Sequence, residues 1–134
     1  MTKVALLGAG GKMGVRLATN LKGSPYEVLH VEVNEEGRKR LKDATGFDCV
    51  DRDTALRDAD VVLMAVPDAL IGKIAKTFID QVKPGCAVIM LDAAAPHAGE
   101  LPERGDVTYF VTHPCHPSIF RYEPTREAQK DYFG

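Results

Sequence analysis

The chain opens with a short apolar run that ends in a cluster of glycines and leads into a helical pattern. Residues 4–14 are VALLGAGGKMG, and apolar side chains recur at Met13, Leu17 and Leu21, the spacing of one helix face. A strand, a glycine turn and a helix in this order let the backbone approach a phosphate group closely. The helix then presents its free N–H groups and its positive dipole end to that group. The segment therefore predicts nucleotide binding, with a purely structural turn as the alternative.

The glycine spacing departs from the usual dinucleotide fingerprint, G-x-G-x-x-G. Met13 stands where the third glycine is expected, whereas Gly8, Gly11 and Gly14 give G-x-x-G-x-x-G with Gly10 as an extra glycine. The place of the cluster, between the first strand and the first helix, still favours a pyrophosphate site.

Length and composition restrict the class of protein. The 134 residues, with 45% apolar and 27% charged side chains, are typical of one globular domain. A net charge of −2 gives no reason to expect nucleic acid or a membrane as a partner. Cys49, Cys86 and Cys115 are widely spaced, so we predict reduced thiols, no metal site and a cytoplasmic location.

Strands and helices alternate along the chain. Strands are predicted at the first apolar run and at residues 26–33, 47–50, 61–66, 86–91 and 107–112. Helices are predicted at 35–42, 54–58 and 71–82, in addition to the one after the glycines. This alternation requires right-handed crossovers between parallel strands. We predict an α/β fold, a single Rossmann-type doubly wound parallel sheet over residues 1–120. Residues 121–134 are then a polar linker or the start of a C-terminal helical domain.

Ligands of an open α/β sheet bind at the carboxyl ends of its strands. Glu32 and Asn34 follow Gly14 by about 20 residues, the separation at which an acidic or polar group meets the adenosine ribose. The acidic neighbours Glu35 and Glu36 disfavour the extra phosphate of NADP. We therefore predict NAD as the cofactor, and NADP stays open because Arg38 is near enough to turn toward the site.

A basic cluster follows these acidic residues. It comprises Arg38, Lys39, Arg40 and Lys42. Because acidic residues flank it on both sides, we interpret it as a solvated helix face, with phosphate binding as the alternative.

The string His113-Pro114-Cys115-His116-Pro117 follows the last predicted strand. Two prolines stiffen the loop, which suits an imidazole that must keep one geometry. Histidine is the usual acid or base near neutral pH, so His113 and His116 are the candidate catalytic residues. The alternatives are a structural proline loop with solvated histidines, a metal site whose spacing matches no standard zinc signature, and Cys115 as a nucleophile.

Several segments resemble a known superfamily. GAGGKMG at the first turn, AVPD after Met64 and KPGCAVI before the next strand are similar to the N-terminal NAD(P)-binding domains of the phosphogluconate dehydrogenase and hydroxyacid dehydrogenase superfamily. HPCHP resembles more narrowly a group of sugar-acid dehydrogenases that includes the apionate oxidoisomerases.

The resemblance implies an NAD(P)-dependent oxidoreductase acting on a sugar acid or hydroxy acid. It places the pyrophosphate at Gly8, Gly11, Lys12 and Met13 (with Gly10 in the same turn), the ribose at Asn34, and the nicotinamide at Ala65, Val66 and Pro67. Glu35 stands where the family has an arginine when it uses NADP. The family's C-terminal helical domain completes the substrate site and a homo-oligomer, and we expect that domain to lie outside these 134 residues. The alternative function is a non-catalytic NAD(H)-sensing module.

Overall fold

The computed structural model describes residues 1–113 and 122–130. Within this part of the chain, five parallel strands form a sheet in the order β2-β1-β3-β4-β5. The strands are β1 (Lys3–Leu7), β2 (Glu27–Val31), β3 (Val61–Met64), β4 (Ala87–Met90) and β5 (Thr108–Val111). The predicted doubly wound parallel sheet is confirmed.

Helices connect the strands and cover the sheet. They are α1 (Lys12–Leu21), α2 (Glu35–Thr45), α3 (Arg52–Arg57), α4 (Ile71–Phe78), α5 (Ala94–His97) and α6 (Arg126–Lys130). The Asn34 side chain caps the start of α2, and Gly46, with φ +81°, ends that helix in the left-handed conformation. In this part of the molecule, no helix is long and apolar enough to cross a membrane.

The predicted third strand is wrong in extent. In place of a strand over residues 47–50, the structure has a single parallel bridge between His30 and Cys49, with the Val50 N–H donating to the His30 carbonyl at 2.9 Å. The Asp51 side chain already caps α3, accepting from the Thr54 N–H at 2.9 Å, so the chain must leave the sheet after one bridge. An outer strand beside β2 is thus shortened to the single bridge at Cys49.

The two faces of the sheet are covered unequally. The face covered by α3, α4 and α5, called the α3–α5 face, holds the large core cluster, which includes Leu56, Phe78 and Met90. On the opposite side, the α1–α2 face, the fully buried cluster is smaller, and its described members are Leu6, Ala9, Ala18 and Leu41. Because all five strands are parallel, their carboxyl ends lie at one edge of the sheet. The glycine turn, Glu32 and Ala65 follow strands at that edge.

Candidate functional site

A tight turn joins β1 to α1 and is fixed to the end of β2. The N–H groups of Gly8 and Ala9 both donate to the Val31 carbonyl, at 3.0 and 3.1 Å, and the Gly11 N–H donates to the Gly8 carbonyl at 3.1 Å. Gly8 has φ +76°, a left-handed conformation that side-chain-bearing residues rarely adopt. These bonds hold the turn rigidly at the ligand-binding edge of the sheet.

Close packing accounts for three of the four glycines in this region. A Cβ at Gly8 would overlap the Ala65 carbonyl oxygen, one at Gly10 would overlap the Gly37 backbone, and one at Gly14 would overlap the Gly8 carbonyl oxygen. The turn, the start of α2 and the end of β3 therefore meet without space for side chains. The fold itself requires glycine at these positions.

Gly11 differs from the other three glycines. A Cβ built there lies 3.5 Å from the Gly8 oxygen and 4.0 Å from the Ala65 oxygen, which are ordinary contacts. Its backbone, with φ −71° and ψ 169°, is extended and open to any residue. Packing in the part of the chain that the structure describes therefore does not explain the glycine, whereas a ligand that approaches the turn would.

The beginning of α1 suits an anionic group. Gly11 is the N-cap residue and has no side chain with which to bond the first N–H groups of the helix. The first turn also contains no acidic residue. The positive end of the helix dipole is thus directed at the space in front of Gly11, and no carboxylate of the first turn of α1 neutralises it.

The Glu32 carboxylate connects β2 to the glycine turn. One oxygen accepts from the Gly10 N–H at 3.0 Å, and the other accepts from the Asn34 N–H at 2.9 Å. The Asn34 side-chain oxygen accepts from the Glu36 and Gly37 N–H groups at 2.9 and 3.3 Å. The structure therefore places the Glu32 carboxylate beside the turn, whereas the Asn34 oxygen is already engaged in capping α2. Ribose binding by these two residues stays a prediction.

Two arginines of α2 also reach the site. The Arg38 Nε donates to the Glu32 carbonyl and an Arg40 Nη donates to the Gly10 carbonyl, both at 2.6 Å. Both residues are exposed, so the interpretation of the basic cluster as a solvated helix face stays a prediction, although these two side chains also make tertiary contacts. Sequence reasoning missed their contacts because the Gly10–Arg40 pair is far apart along the chain.

The end of β3 forms the neighbouring wall. The Ala65 N–H donates to the Leu7 carbonyl at 2.9 Å, which places the Ala65 oxygen beside Gly8 and Gly11. Pro67 precedes a short 3-10 helix, Asp68–Leu70, whose Leu70 N–H donates to the Pro67 carbonyl at 2.8 Å. Ala65, Val66 and Pro67 thus lie next to the glycine turn.

The histidine loop is described only at its start. His113 is exposed and follows β5 by two residues, whereas His116 lies outside the described residues. Nearby, α5 begins after Asp92, whose carboxylate accepts from the Ala94 N–H at 2.7 Å, and ends at His97. Within residues 1–113 and 122–130, no group of three or more His, Cys, Asp or Glu side chains could hold a metal ion.

A separate cavity of about 190 Å³ lies at the opposite end of α1. Leu21, Val28, His30 and Phe47 are among its lining residues, and the His30 and Phe47 rings stack with centroids 4.6 Å apart. His30 Nε2 is buried without a hydrogen-bond partner among the described residues, and burial lowers the pKa of His30. With α1 ten residues long, the cavity is about 15 Å from the glycine turn.

The chain resembles known proteins over most of its length. Residues 1–120 match the family described as "Acetohydroxy acid isomeroreductase, NADPH-binding domain". Two proteins called D-apionate oxidoisomerase are similar: that of Cupriavidus necator is 61% identical over 98% of this chain, and that of Rhizobium rhizogenes is 58% identical over all of it. These matches cover 48% and 49% of the relatives, so the chain spans about half the length of the curated relatives that it matches.

A solved structure shares the architecture. The crystal structure described as a semialdehyde dehydrogenase NAD-binding protein from Cupriavidus necator, in complex with calcium and NAD, is 60% identical with a TM-score of 0.87. The similarity covers 100% of this chain and 49% of that one. The sequence resemblance to oxidoreductase cofactor domains, including the apionate oxidoisomerases, is confirmed.

Proposed function

Because this chain belongs to the acetohydroxy acid isomeroreductase NADPH-binding domain family, we propose that it is the cofactor-binding half of an oxidoreductase that acts on a sugar acid or hydroxy acid. Its general role as an NAD(P)-binding domain follows from the family and from the similar NAD complex. The observation that carries the proposal is Gly11, which the fold leaves open in front of an uncapped helix N-terminus. A pyrophosphate that comes within hydrogen-bond distance of the turn would fill that space.

The pyrophosphate would be held by the turn and the start of α1. Gly8 and Gly10 shape the backbone, Gly11 gives room, and Lys12 and Met13 begin the helix whose N–H groups face the phosphate oxygens. Attraction by the helix dipole favours a dianionic group at this position. The carbonyl edge formed by Ala65, with Val66 and Pro67, is the proposed nicotinamide side.

The ribose would meet Glu32, with Asn34 next to it. The Glu32 carboxylate is fixed by two backbone N–H groups and keeps lone pairs that can accept hydrogen bonds from ribose hydroxyls. A 2′-phosphate at the same position would face this negative charge, which favours NAD over NADP. Arg38 and Arg40 lie close enough to offset part of that repulsion, so their contribution decides how strong the preference is.

The reaction we propose is the oxidation of a hydroxyl-bearing carbon. When bound, the nicotinamide ring supplies the hydride acceptor. The chain's own part is to fix that ring against the β3 edge and to hold a base that takes the hydroxyl proton as the C–H bond breaks. His113 and His116 are the candidates for the base. The name D-apionate oxidoisomerase, borne by the relatives, supports a sugar acid as the substrate.

The domain organisation is part of the same proposal. We place the cofactor domain at residues 1–120, which is supported by the extent of the family match, and residues 121–134 in a connection to a second, substrate-enclosing half. Substrate enclosure needs a second wall opposite the sheet edge. A homo-oligomer built through that second half is the proposed assembly.

Turnover tests this proposal. We expect the 134-residue chain to bind NADH but to oxidise D-apionate little or not at all. Joined to the second half of the Cupriavidus necator relative, it should produce NADH, and His113→Ala or His116→Ala should lower kcat more than cofactor affinity. Steady-state kinetics and calorimetric titration of the same samples measure both quantities.

Three outcomes would contradict parts of this proposal. Robust turnover by the 134-residue chain alone would refute the need for a second half. Unchanged rates in both histidine variants would leave the loop with a structural role. NADH binding without turnover in the joined protein would favour the NAD(H)-sensing module.

A further inference from the structure

The α1–α2 face of the sheet becomes progressively uncovered toward β5. Leu6, Leu63, Ile89 and Phe110 are register partners and form one row across β1, β3, β4 and β5. Leu6 is fully buried, Leu63 and Ile89 are half-buried, and Phe110 is 57% exposed. Leu63 packs against the small cluster of this face, whereas Ile89 packs against neither core cluster. We call Leu63, Ile89 and Phe110 the open strip.

Within residues 1–113 and 122–130, the topology explains why no helix covers the open strip. From β1 the chain runs through α1 to β2 and through α2 to the bridge at Cys49, away from β5. From that bridge it returns through α3 to β3 and continues through α4 and α5 toward β5. Right-handed crossovers in opposite directions put their helices on opposite faces. No crossover in this sheet can therefore place a helix over β4 and β5 on the α1–α2 face.

Helix α6 does not supply the cover either. It follows β5 in the chain, but none of its residues is buried and none belongs to a core cluster. Parallel sheets are normally covered on both faces. An apolar strip that includes an aromatic side chain and that no described helix covers therefore indicates a further layer.

The size of the open strip decides between two kinds of occupant. A stable dimer needs about 800 Å² from each partner, far more than three partly exposed side chains provide. A covalently attached segment needs much less contact area, because attachment gives it a high effective concentration. The relatives are about twice as long as this chain.

We propose that the open strip is the docking surface for an amphipathic helix from the additional half of the polypeptide that these relatives possess. Leu63, Ile89 and Phe110 would contact the apolar side of that helix and complete the second layer over β4 and β5. This inference rests on the proposed two-part enzyme, but it concerns packing and can be tested without turnover.

Thiol labelling tests the docking. Phe110→Cys, in a Cys115→Ser background, is compared in the 134-residue chain and in the chain joined to the second half of the Cupriavidus necator relative. A maleimide should modify this cysteine rapidly in the short chain and at least ~10-fold more slowly in the joined protein, with modification located by peptide mass. The control is Tyr26→Cys at a site of comparable exposure, 46%, which lies outside the open strip and should react equally in both.

Equal labelling of Phe110→Cys in both proteins would overturn the proposal. So would slow labelling in the short chain that accelerates on dilution, because a second copy would then be the occupant. If the joined protein does not fold, the second half is added in trans, and unchanged labelling there also counts against docking. Slow labelling of Phe110→Cys in a joined protein that shows no turnover would contradict only the proposed function. Fast labelling in a joined protein that shows turnover would contradict only the docking.

Discussion

Replacing Gly11 by alanine should separate ligand binding from folding. Among the described residues, the added methyl group meets the Gly8 and Ala65 oxygens, at 3.5 and 4.0 Å, and the extended backbone accepts alanine without strain. Loss of unfolded-state freedom stabilises such a variant by about 0.4–1 kcal/mol. Alanine is a poorer N-cap than glycine by a similar amount. The free energy of unfolding should therefore change by less than about 1 kcal/mol.

Cofactor binding should respond much more strongly. The same methyl group occupies the space through which a phosphate oxygen would approach the turn. Loss of one hydrogen bond to a charged group costs about 1.5–3 kcal/mol. At about 1.4 kcal/mol for each factor of ten, the Kd for NADH should rise by roughly 10- to 150-fold. Calorimetric titration measures the affinity, and urea denaturation measures the stability.

Two matched glycines serve as controls. Gly10→Ala forces a methyl group into the Gly37 backbone and should destabilise the fold by about 1–3 kcal/mol. Gly105→Ala places its methyl group in open space and should change neither quantity. If Gly11→Ala binds NADH as the parent chain does, the turn is structural only. A stability loss as large as that of Gly10→Ala would refute the geometric argument.

Two further predictions concern charge. If the fixed Glu32 carboxylate meets the ribose, titration should give tighter binding for NADH than for NADPH; equal or reversed affinities would show that Arg38 and Arg40 neutralise the 2′-phosphate. Burial lowers the pKa of His30, so below the ordinary value near 6.5 the unfolded chain binds a proton that the folded chain excludes. Stability should then fall with decreasing pH by up to about 1.4 kcal/mol per pH unit until the folded-state pKa is reached. Urea denaturation at pH 7.5 and 5.5 should show this extra loss in the parent chain and not in His30→Phe, and equal losses in both would contradict it.

Sequence patterns predict most of this fold because the signals are local. The continuous apolar run from Val61 and the helical spacing after Ile71 both appear in the structure with small shifts at their ends. The segment from Phe47 to Val50 was predicted as a full strand because its aromatic and β-branched residues favour strands. The cap at Asp51 begins α3 at once and leaves space for a single bridge. The sequence also contains the pattern of a helix start, Asp51 followed by Thr54. This cap determines where the strand ends, despite the strand preference of the four residues before it.

The part of the candidate site that depends on spacing along the chain could be predicted from the sequence. The turn and the distance to Glu32 follow from the fingerprint, but the two hydrogen bonds that fix the Glu32 carboxylate are tertiary and have no local pattern. Asn34 is different. An asparagine followed by two glutamates is a helix-start pattern, so its capping role could have been found from the sequence.

The irregular glycine spacing has a physical explanation in the packing. In the usual fingerprint the first glycine makes the tight turn, the second admits the pyrophosphate and the third allows the helix to pack on the strand. Here Gly8 makes the turn, and Gly14 lets α1 pack against the Gly8 and Ala9 backbone. Gly11, between them, is the position that the fold leaves open. With the pyrophosphate proposed to lie at Gly11, the three roles are spaced by three residues each, in a turn one residue longer than usual. Gly10 is the added residue, and it must be glycine because α2 brings the Gly37 backbone against it.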